Sequence, residues 1–129
     1  MANMTARVVA PARSAFTNME YAFGYCNSLT EAPVIPNSVT KMGDYVFMNC
    51  KSLKECKLSN ALDKIPMHTF SGCTSLQSFE ITSNIKTIGY CAFKDCTSLT
   101  EIYVPETVTK VDGAFYDCNS LKKITLPFV

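Results

Sequence analysis

One pattern of apolar and small polar residues, Phe-x-x-Cys-x-Ser-Leu, occurs five times in the 129-residue chain. The copies begin at Phe23, Phe47, Phe70, Phe93 and Phe115, so successive copies are 24, 23, 23 and 22 residues apart. Repetition at a nearly constant period of this length is the sequence signature of stacked structural repeats. The pattern therefore predicts a solenoid, in which each unit buries its apolar side chains against its neighbours because it cannot bury them alone.

Two parts of each unit carry their own periodicity. The residues that follow the Leu of the motif alternate between apolar and polar, as at Leu99, Ile102 and Val104, and this alternation predicts a half-buried strand. A spaced apolar pair comes next, for example Ile85 and Ile88. Stacking of the units is expected to align their strands as one parallel sheet.

The third part of each unit runs through the Phe to the Cys. Its apolar residues, such as Ala92, Phe93 and Cys96, have the spacing of one turn of α- or 3-10 helix. The predicted fold is an α/β solenoid, with parallel strands stacked on one face and short helical or 3-10 turns on the other. Residues 1–22 are interpreted as a degenerate N-terminal repeat or cap, and residues 23–129 as five repeats, the last of them incomplete.

Composition excludes several classes of protein. The apolar fraction of 47% is that of a folded domain, and 12 basic residues against 11 acidic ones leave a net charge of +1. Such a balance gives no basis for nucleic-acid binding, and no apolar run approaches the roughly 18 residues of a membrane span, so membrane insertion is not expected. Arg7 and Arg13 interrupt the apolar residues of segment 1–15, which therefore lacks the apolar core of a signal peptide.

The seven cysteines follow the repeat rather than the spacing of a disulfide framework or a zinc site. Five of them share one repeat position and are predicted to be buried thiols without disulfides: Cys26, Cys50, Cys73, Cys96 and Cys118. Cys56 takes an inward strand position, whereas Cys91 is equivalent to Tyr45 and is expected to be exposed. His68 is expected to be a solvated residue on the outer rim. No nucleophile–base pair, carboxylate dyad or phosphate loop is present, so we expect no catalytic residue, no metal site and no cofactor.

The unit from Pro105 to Leu126 follows, nearly throughout, the pattern Pro-x-x-Val-x-x-Ile-Gly-x-x-Ala-Phe-x-x-Cys-x-x-Leu-x-x-Ile-x-Ile. This pattern resembles that of the BspA-like leucine-rich repeats, and the resemblance covers roughly residues 16–129. It implies a solenoid that is often part of a larger cell-surface or secreted protein and takes part in adhesion or protein–protein binding. It offers no catalytic residue to carry over.

The polar residues that point outward from the predicted strands form the main candidate binding surface, which we call the strand face. The predicted binding residues are Glu31, Lys54, Glu55, Lys57, Gln77, Glu80, Glu101, Tyr103, Lys122 and Lys123. The strand face is acidic toward its start and basic at Lys122 and Lys123, and Tyr103 is its one aromatic residue. Binding of a protein partner or host surface ligand is the predicted function, and a merely solvated face is the alternative.

A second hypothesis is a structural protein whose repeats stack end to end into oligomers or fibres. The chain stops just after the fifth predicted strand, so the apolar residues Ile124, Leu126 and Phe128 are expected to form an open, self-associating end. A closed dimer, or a longer parent chain, is favoured over a fibre.

A further row of positive charge, which we call the lysine stripe, accompanies the apolar pairs. It consists of Lys41, Lys64, Lys86 and Lys110. Binding of nucleic acid there would require aromatic platforms or further basic residues, and nearby acidic residues dilute the charge. The nucleic-acid interpretation is therefore disfavoured.

Overall fold

The computed structural model describes residues 23–32 and 35–125, in which successive repeats are joined by parallel backbone pairing. The predicted cap at residues 1–22 lies outside this range. Five short strands form: β1 (Lys64–Ile65), β2 (Thr87–Ile88), β3 (Glu101–Tyr103), β4 (Lys110–Val111) and β5 (Lys123–Thr125).

The strands belong to two sheets rather than the single sheet that the sequence predicts. One sheet pairs β3 with β5, placing Ile102 opposite Ile124. The other has the order β1-β2-β4 and places Ile65, Ile88 and Val111 side by side. The spaced apolar pairs therefore form a second parallel ladder, because their equal spacing in each unit allows the backbones around them to pair as well.

The ladder that contains β3 and β5 continues into the neighbouring repeats. Glu31 and Glu55 form an isolated parallel bridge, and the amide of Lys54 donates to the carbonyl of Thr30 at 2.9 Å. The amide of Lys122 donates in the same way to the carbonyl of Thr100 at 2.8 Å. The strand face thus has a hydrogen-bonded backbone under both its acidic and its basic ends.

The segment from Phe to Cys forms consecutive β-turns, and the described residues contain no helix. The amide of Cys73 donates to the carbonyl of Phe70 at 3.1 Å, and the amide of Leu76 donates to the carbonyl of Cys73 at 3.2 Å. Each such bond spans three residues, as in a 3-10 helix, but left-handed residues interrupt the run. They lie two positions before the repeat Phe (Tyr45, His68, Cys91 and Gly113) and two positions after it (Tyr25, Asn49, Gly72, Asp95 and Asp117). The predicted helical turns are therefore not confirmed in the described residues, since a right-handed helix requires consecutive negative φ values.

Amide groups of these turns bond to the neighbouring repeat. The amide of Phe70 donates to the carbonyl of Ala92 at 2.8 Å, and the amide of Gly72 donates to the carbonyl of Lys94 at 2.7 Å. Alternate amides thus find partners about one repeat away in sequence, whereas a helix would have satisfied them internally. The turn segments are therefore a third site of backbone pairing between repeats.

The repeat phenylalanines form one continuous stack through the core, as the repeat pattern predicts. Ring centroids lie 5.5 Å apart for Phe23 and Phe47, 5.6 Å for Phe47 and Phe70, 5.4 Å for Phe70 and Phe93, and 5.5 Å for Phe93 and Phe115. Phe47, Phe70 and Phe93 are fully buried. Neighbouring repeats are therefore coupled through aromatic contacts as well as through the backbone.

A ladder of thiol hydrogen bonds runs beside the phenylalanine stack. Each thiol donates to the Phe carbonyl of the preceding repeat: Cys50 to Phe23 at 2.9 Å, Cys73 to Phe47 at 3.2 Å, Cys96 to Phe70 at 3.2 Å and Cys118 to Phe93 at 3.0 Å. All seven cysteines are free, as predicted for the repeat position. The geometry explains the preference for Cys, since this position requires a small side chain that is largely apolar and carries a weak donor.

The burial of the cysteine ladder is less complete than predicted. Cys50, Cys73 and Cys96 are buried, but Cys26 and Cys118 are half-buried. Burial raises the pKa of Cys50 to about 12, and it also raises the pKa of Cys73 and of Cys96 well above the ordinary thiol range. The three buried thiols are therefore protonated donors at neutral pH.

Candidate functional site

All ten residues predicted to form the strand face are exposed, and their role in binding stays a prediction. Alternation along a strand turns every second side chain away from the core, which accounts for Glu101, Tyr103 and Lys123, and Lys54, Gln77 and Lys122 flank the alternating positions. In β3, Glu101 and Tyr103 point to solvent on either side of Ile102, which is 3% exposed. Tyr103 is 58% exposed and is therefore available to a partner.

A shallow groove of about 900 Å³ runs along the strand face. Its lining is Glu31, Ala32, Glu55, Cys56, Lys57, Ser78, Phe79, Glu80, Thr82, Glu101, Ile102, Tyr103, Lys123 and Thr125. Charged outward side chains thus surround a floor of inward-facing Cys56, Phe79 and Ile102. A polar rim around an apolar floor is an arrangement typical of protein interfaces.

The charge of the strand face changes from acidic in the first repeats to mixed in the last. The bridge between Glu31 and Glu55 brings two carboxylates of like charge onto adjacent strands. At the other end, Glu101 lies directly opposite Lys123. Within residues 23–32 and 35–125 the one salt bridge joins Lys94 to Asp95 at 3.0 Å, in a turn segment. The strand-face charges therefore form no ion pair inside the described part of the chain.

The predicted self-associating end is described only in part. Ile124 is 40% exposed, whereas the equivalent Ile102 is 3% exposed. Leu126 and Phe128 lie outside the described residues. Self-association through this end stays a prediction.

An aromatic ridge crosses the turn segments, and the sequence reasoning missed it. Ring centroids are 5.3 Å apart for Tyr45 and His68, 5.8 Å for His68 and Tyr90, and 6.2 Å for Tyr90 and Tyr116. Tyr90 and Tyr116 are 46% and 52% exposed. These residues lie two or three positions before the repeat Phe or one position after it, so no single repeat position reveals the ridge. An aromatic residue in the turn segment of successive repeats was the available signal.

Two predictions about the turn segments are wrong. Cys91 is 2% exposed rather than accessible, and the neighbouring Tyr90 takes the outward position. A hydrogen bond with Cys91 is the main cause that raises the pKa of Tyr90. His68 is half-buried rather than solvated, because it stacks on Tyr45. Burial, with a smaller contribution from Lys94, lowers the pKa of His68 and favours its neutral form.

The described residues contain neither a metal-binding cluster nor a membrane-spanning helix. No group of three or more His, Cys, Asp or Glu side chains in residues 23–32 and 35–125 is arranged to hold a metal ion. In that part of the chain no helix has the length and apolar character needed to cross a membrane.

Three solved structures of leucine-rich repeat proteins resemble this chain. A protein from Bacteroides ovatus has 37% sequence identity and a TM-score of 0.79, and the match covers 87% of this chain and 29% of that protein. A leucine rich cell surface protein from Faecalibacterium prausnitzii has 34% identity and a TM-score of 0.80, covering 85% of this chain and 29% of that one. A leucine rich repeat protein from T. pallidum has 33% identity and a TM-score of 0.80, covering 84% of this chain and 50% of that one.

This chain thus spans less than a third of the first two structures and half of the third. No curated protein sequence matches it. The family model for the BspA type leucine rich repeat region matches residues 17–128 in six copies. Together with the repeated Phe-x-x-Cys-x-Ser-Leu motif and the parallel ladders, this match shows that the chain belongs to the BspA-type leucine-rich repeat family.

Proposed function

We propose that this protein is a non-enzymatic interaction module that binds an extended protein segment along its strand face. The observation that carries the proposal is the pairing of Glu31 with Glu55 on adjacent strands. Like charges directly opposite each other destabilise a sheet, and no basic side chain of the described residues forms an ion pair with either carboxylate. A cationic group of a partner would relieve this repulsion on binding.

The polarity of the groove defines the partner further. Glu31 and Glu55 line its first end and Lys123 lines its last, with the exposed Lys122 next to Lys123 in the chain. Four strand spacings of about 4.8 Å separate these ends, a distance of about 19 Å, which an extended segment of about six residues covers at roughly 3.3 Å per residue. A segment with a basic end and an acidic end is therefore complementary, and Tyr103 supplies an aromatic anchor between them.

The test compares two synthetic peptides of identical composition by isothermal titration. One has two lysines, an uncharged spacer of four residues and two glutamates, and the other has the same residues with alternating charges. The block peptide is expected to bind more tightly, and Glu55→Gln is expected to weaken that binding. Glu106→Gln removes another exposed carboxylate, outside the strand face, and serves as the control. Equal affinity for the two peptides, or equal losses from the two substitutions, would refute the proposal.

The same proposal places the module at a cell surface, in adhesion to a protein of a host or a neighbouring cell. Its support is the similarity to a leucine rich cell surface protein of Faecalibacterium prausnitzii. Brief protease treatment of intact source cells should remove the protein while cytoplasmic proteins survive. Survival of the protein under that treatment would contradict a surface location.

Association of copies end to end is the second candidate function, and the exposure of Ile124 favours it. Exposed apolar surface of this kind can be covered by a second copy of the chain. Sedimentation should show a mass that rises with concentration and returns to the monomer value after Ile124→Lys. A concentration-independent monomer would exclude this function.

A further inference from the structure

The lysine stripe lies on the second sheet, away from the strand face. Lys64 in β1 and Lys110 in β4 both pair with Thr87 of β2, from opposite sides. They therefore occupy one row, about 9.6 Å apart at two strand spacings. Lys41 is at the equivalent position of the preceding repeat, and Lys86 lies in the adjoining row.

The adjoining row is defined by backbone hydrogen bonds. The amide of Lys86 donates to the carbonyl of Asp63 at 2.8 Å, and the amide of Thr109 donates to the carbonyl of Lys86 at 2.9 Å. The two rows together contain Thr40, Lys41, Asp63, Lys64, Lys86, Thr87, Thr109 and Lys110. These eight positions carry four positive charges and one negative charge, in a chain whose total net charge is +1. The acidic residues that dilute the stripe otherwise, Asp44, Glu106 and Asp112, lie outside the two rows.

The four ammonium groups are available to a ligand. All four lysines are exposed, and none of them forms a salt bridge with another described residue. Parallel strands in register hold Lys64 and Lys110 on the same side of the sheet, so their charges repeat along the axis of the solenoid. A linear polyanion that runs parallel to this axis could contact all four at once.

The neighbours of the lysines favour a polysaccharide over a nucleic acid. The chain has no arginine after Arg13, and arginine is the side chain best suited to phosphate. None of the eight positions is aromatic, so the stripe itself has no platform on which a base could stack. Three of them are threonines, whose hydroxyl groups both donate and accept hydrogen bonds and so suit a hydroxyl-rich chain.

We propose that the lysine stripe binds a linear anionic polysaccharide that carries carboxylate or sulfate groups at regular intervals. Each exposed ion pair contributes little by itself, so binding depends on several contacts together with the release of counterions. If each lysine contributes about 0.7 to the magnitude of the negative slope of log affinity against log salt, as for a single-stranded polyanion, four give about 2.8. Affinity then falls about 50-fold between 50 and 200 mM salt.

The experiment measures binding of the whole chain to heparin, a linear sulfated polysaccharide, over this range of salt. The stripe variant combines Lys41→Gln, Lys64→Gln, Lys86→Gln and Lys110→Gln. The control variant combines Lys54→Gln, Lys57→Gln, Lys122→Gln and Lys123→Gln, and it removes the same charge from the strand face. We expect the stripe variant to lose at least tenfold in affinity and most of its salt dependence, and the control variant to change less than twofold.

Three results would overturn the proposal. The first is that the unaltered protein does not bind heparin, or binds it independently of salt, which needs no variant to establish. The second is an equal loss in both variants, which would show that binding follows total charge. The third is that a single-stranded oligonucleotide of matched charge binds as tightly as heparin, which would assign the stripe to nucleic acid. The peptide test of the strand face is independent of all three.

Discussion

Replacement of Phe70 by alanine tests the stacked core directly. Phe70 is fully buried, and its ring contacts those of Phe47 at 5.6 Å, Phe93 at 5.4 Å and Phe79 at 5.0 Å. Removal of the ring leaves a cavity between two repeats, because the paired backbones on either side prevent collapse. Changes of this kind cost roughly 3–5 kcal/mol. Since domains are stable by only about 5–15 kcal/mol, this is a large fraction of the total.

The assay is urea unfolding followed by circular dichroism, with two matched controls. Phe115→Ala makes the same chemical change at the same repeat position, but Phe115 is half-buried and, among the described rings, contacts only Phe93. It is expected to cost less than half as much. Glu80→Ala changes an exposed strand-face residue and should stay within about 0.5 kcal/mol of the unaltered protein.

At about 4 °C per kcal/mol for a chain of this size, Phe70→Ala should lower the midpoint of thermal unfolding by about 12–20 °C. Equal midpoints for Phe70→Ala and Glu80→Ala would show that the inward assignment is wrong. Equal costs for Phe70→Ala and Phe115→Ala would show that ring stacking between repeats adds nothing to stability.

Three further predictions concern the thiols and a close backbone contact. At pH 8 the buried thiols of Cys50, Cys73 and Cys96 should react with a thiol reagent only after the protein is denatured. All seven cysteines should react in the denatured protein without any reductant. Fast reaction of those three thiols in the native protein would contradict the cysteine ladder. Burial raises the pKa of Cys50 from 9.0 to about 12, so its contribution to stability is fully present below pH 9 and is lost as the pH rises through about 12. The free energy of unfolding should fall over that interval, and less steeply in Cys50→Ala; identical profiles would argue against this cause. Gly89→Ala should lower the free energy of unfolding in urea by about 1–3 kcal/mol, because the added Cβ would lie 2.9 Å from the carbonyl oxygen of Ile65 in the preceding repeat. An unchanged unfolding midpoint would show that the backbone moves to accommodate the Cβ at little cost.

The sequence by itself determined the repeat, the core and the strand face. Phe, Cys and Leu recur at fixed positions, and only stacking buries all of them, so the period alone predicts which side chains face inward. The alternation of polar and apolar residues after each Leu is also a local pattern. It predicts that Glu101 and Tyr103 face solvent while Ile102 faces the core, and the structure shows this arrangement.

The tertiary structure decided which backbone groups pair and therefore what the turn segments became. Apolar residues three apart suit a helical turn and a β-turn equally, so the spacing of Phe70 and Cys73 could not distinguish them. The choice depends on where the amide of Phe70 finds its acceptor, and that acceptor is the carbonyl of Ala92 in the next repeat. The same turns bury Cys91 and bring Tyr90 beside Tyr116. A contact between residues more than 20 positions apart is set by stacking, which no local pattern contains.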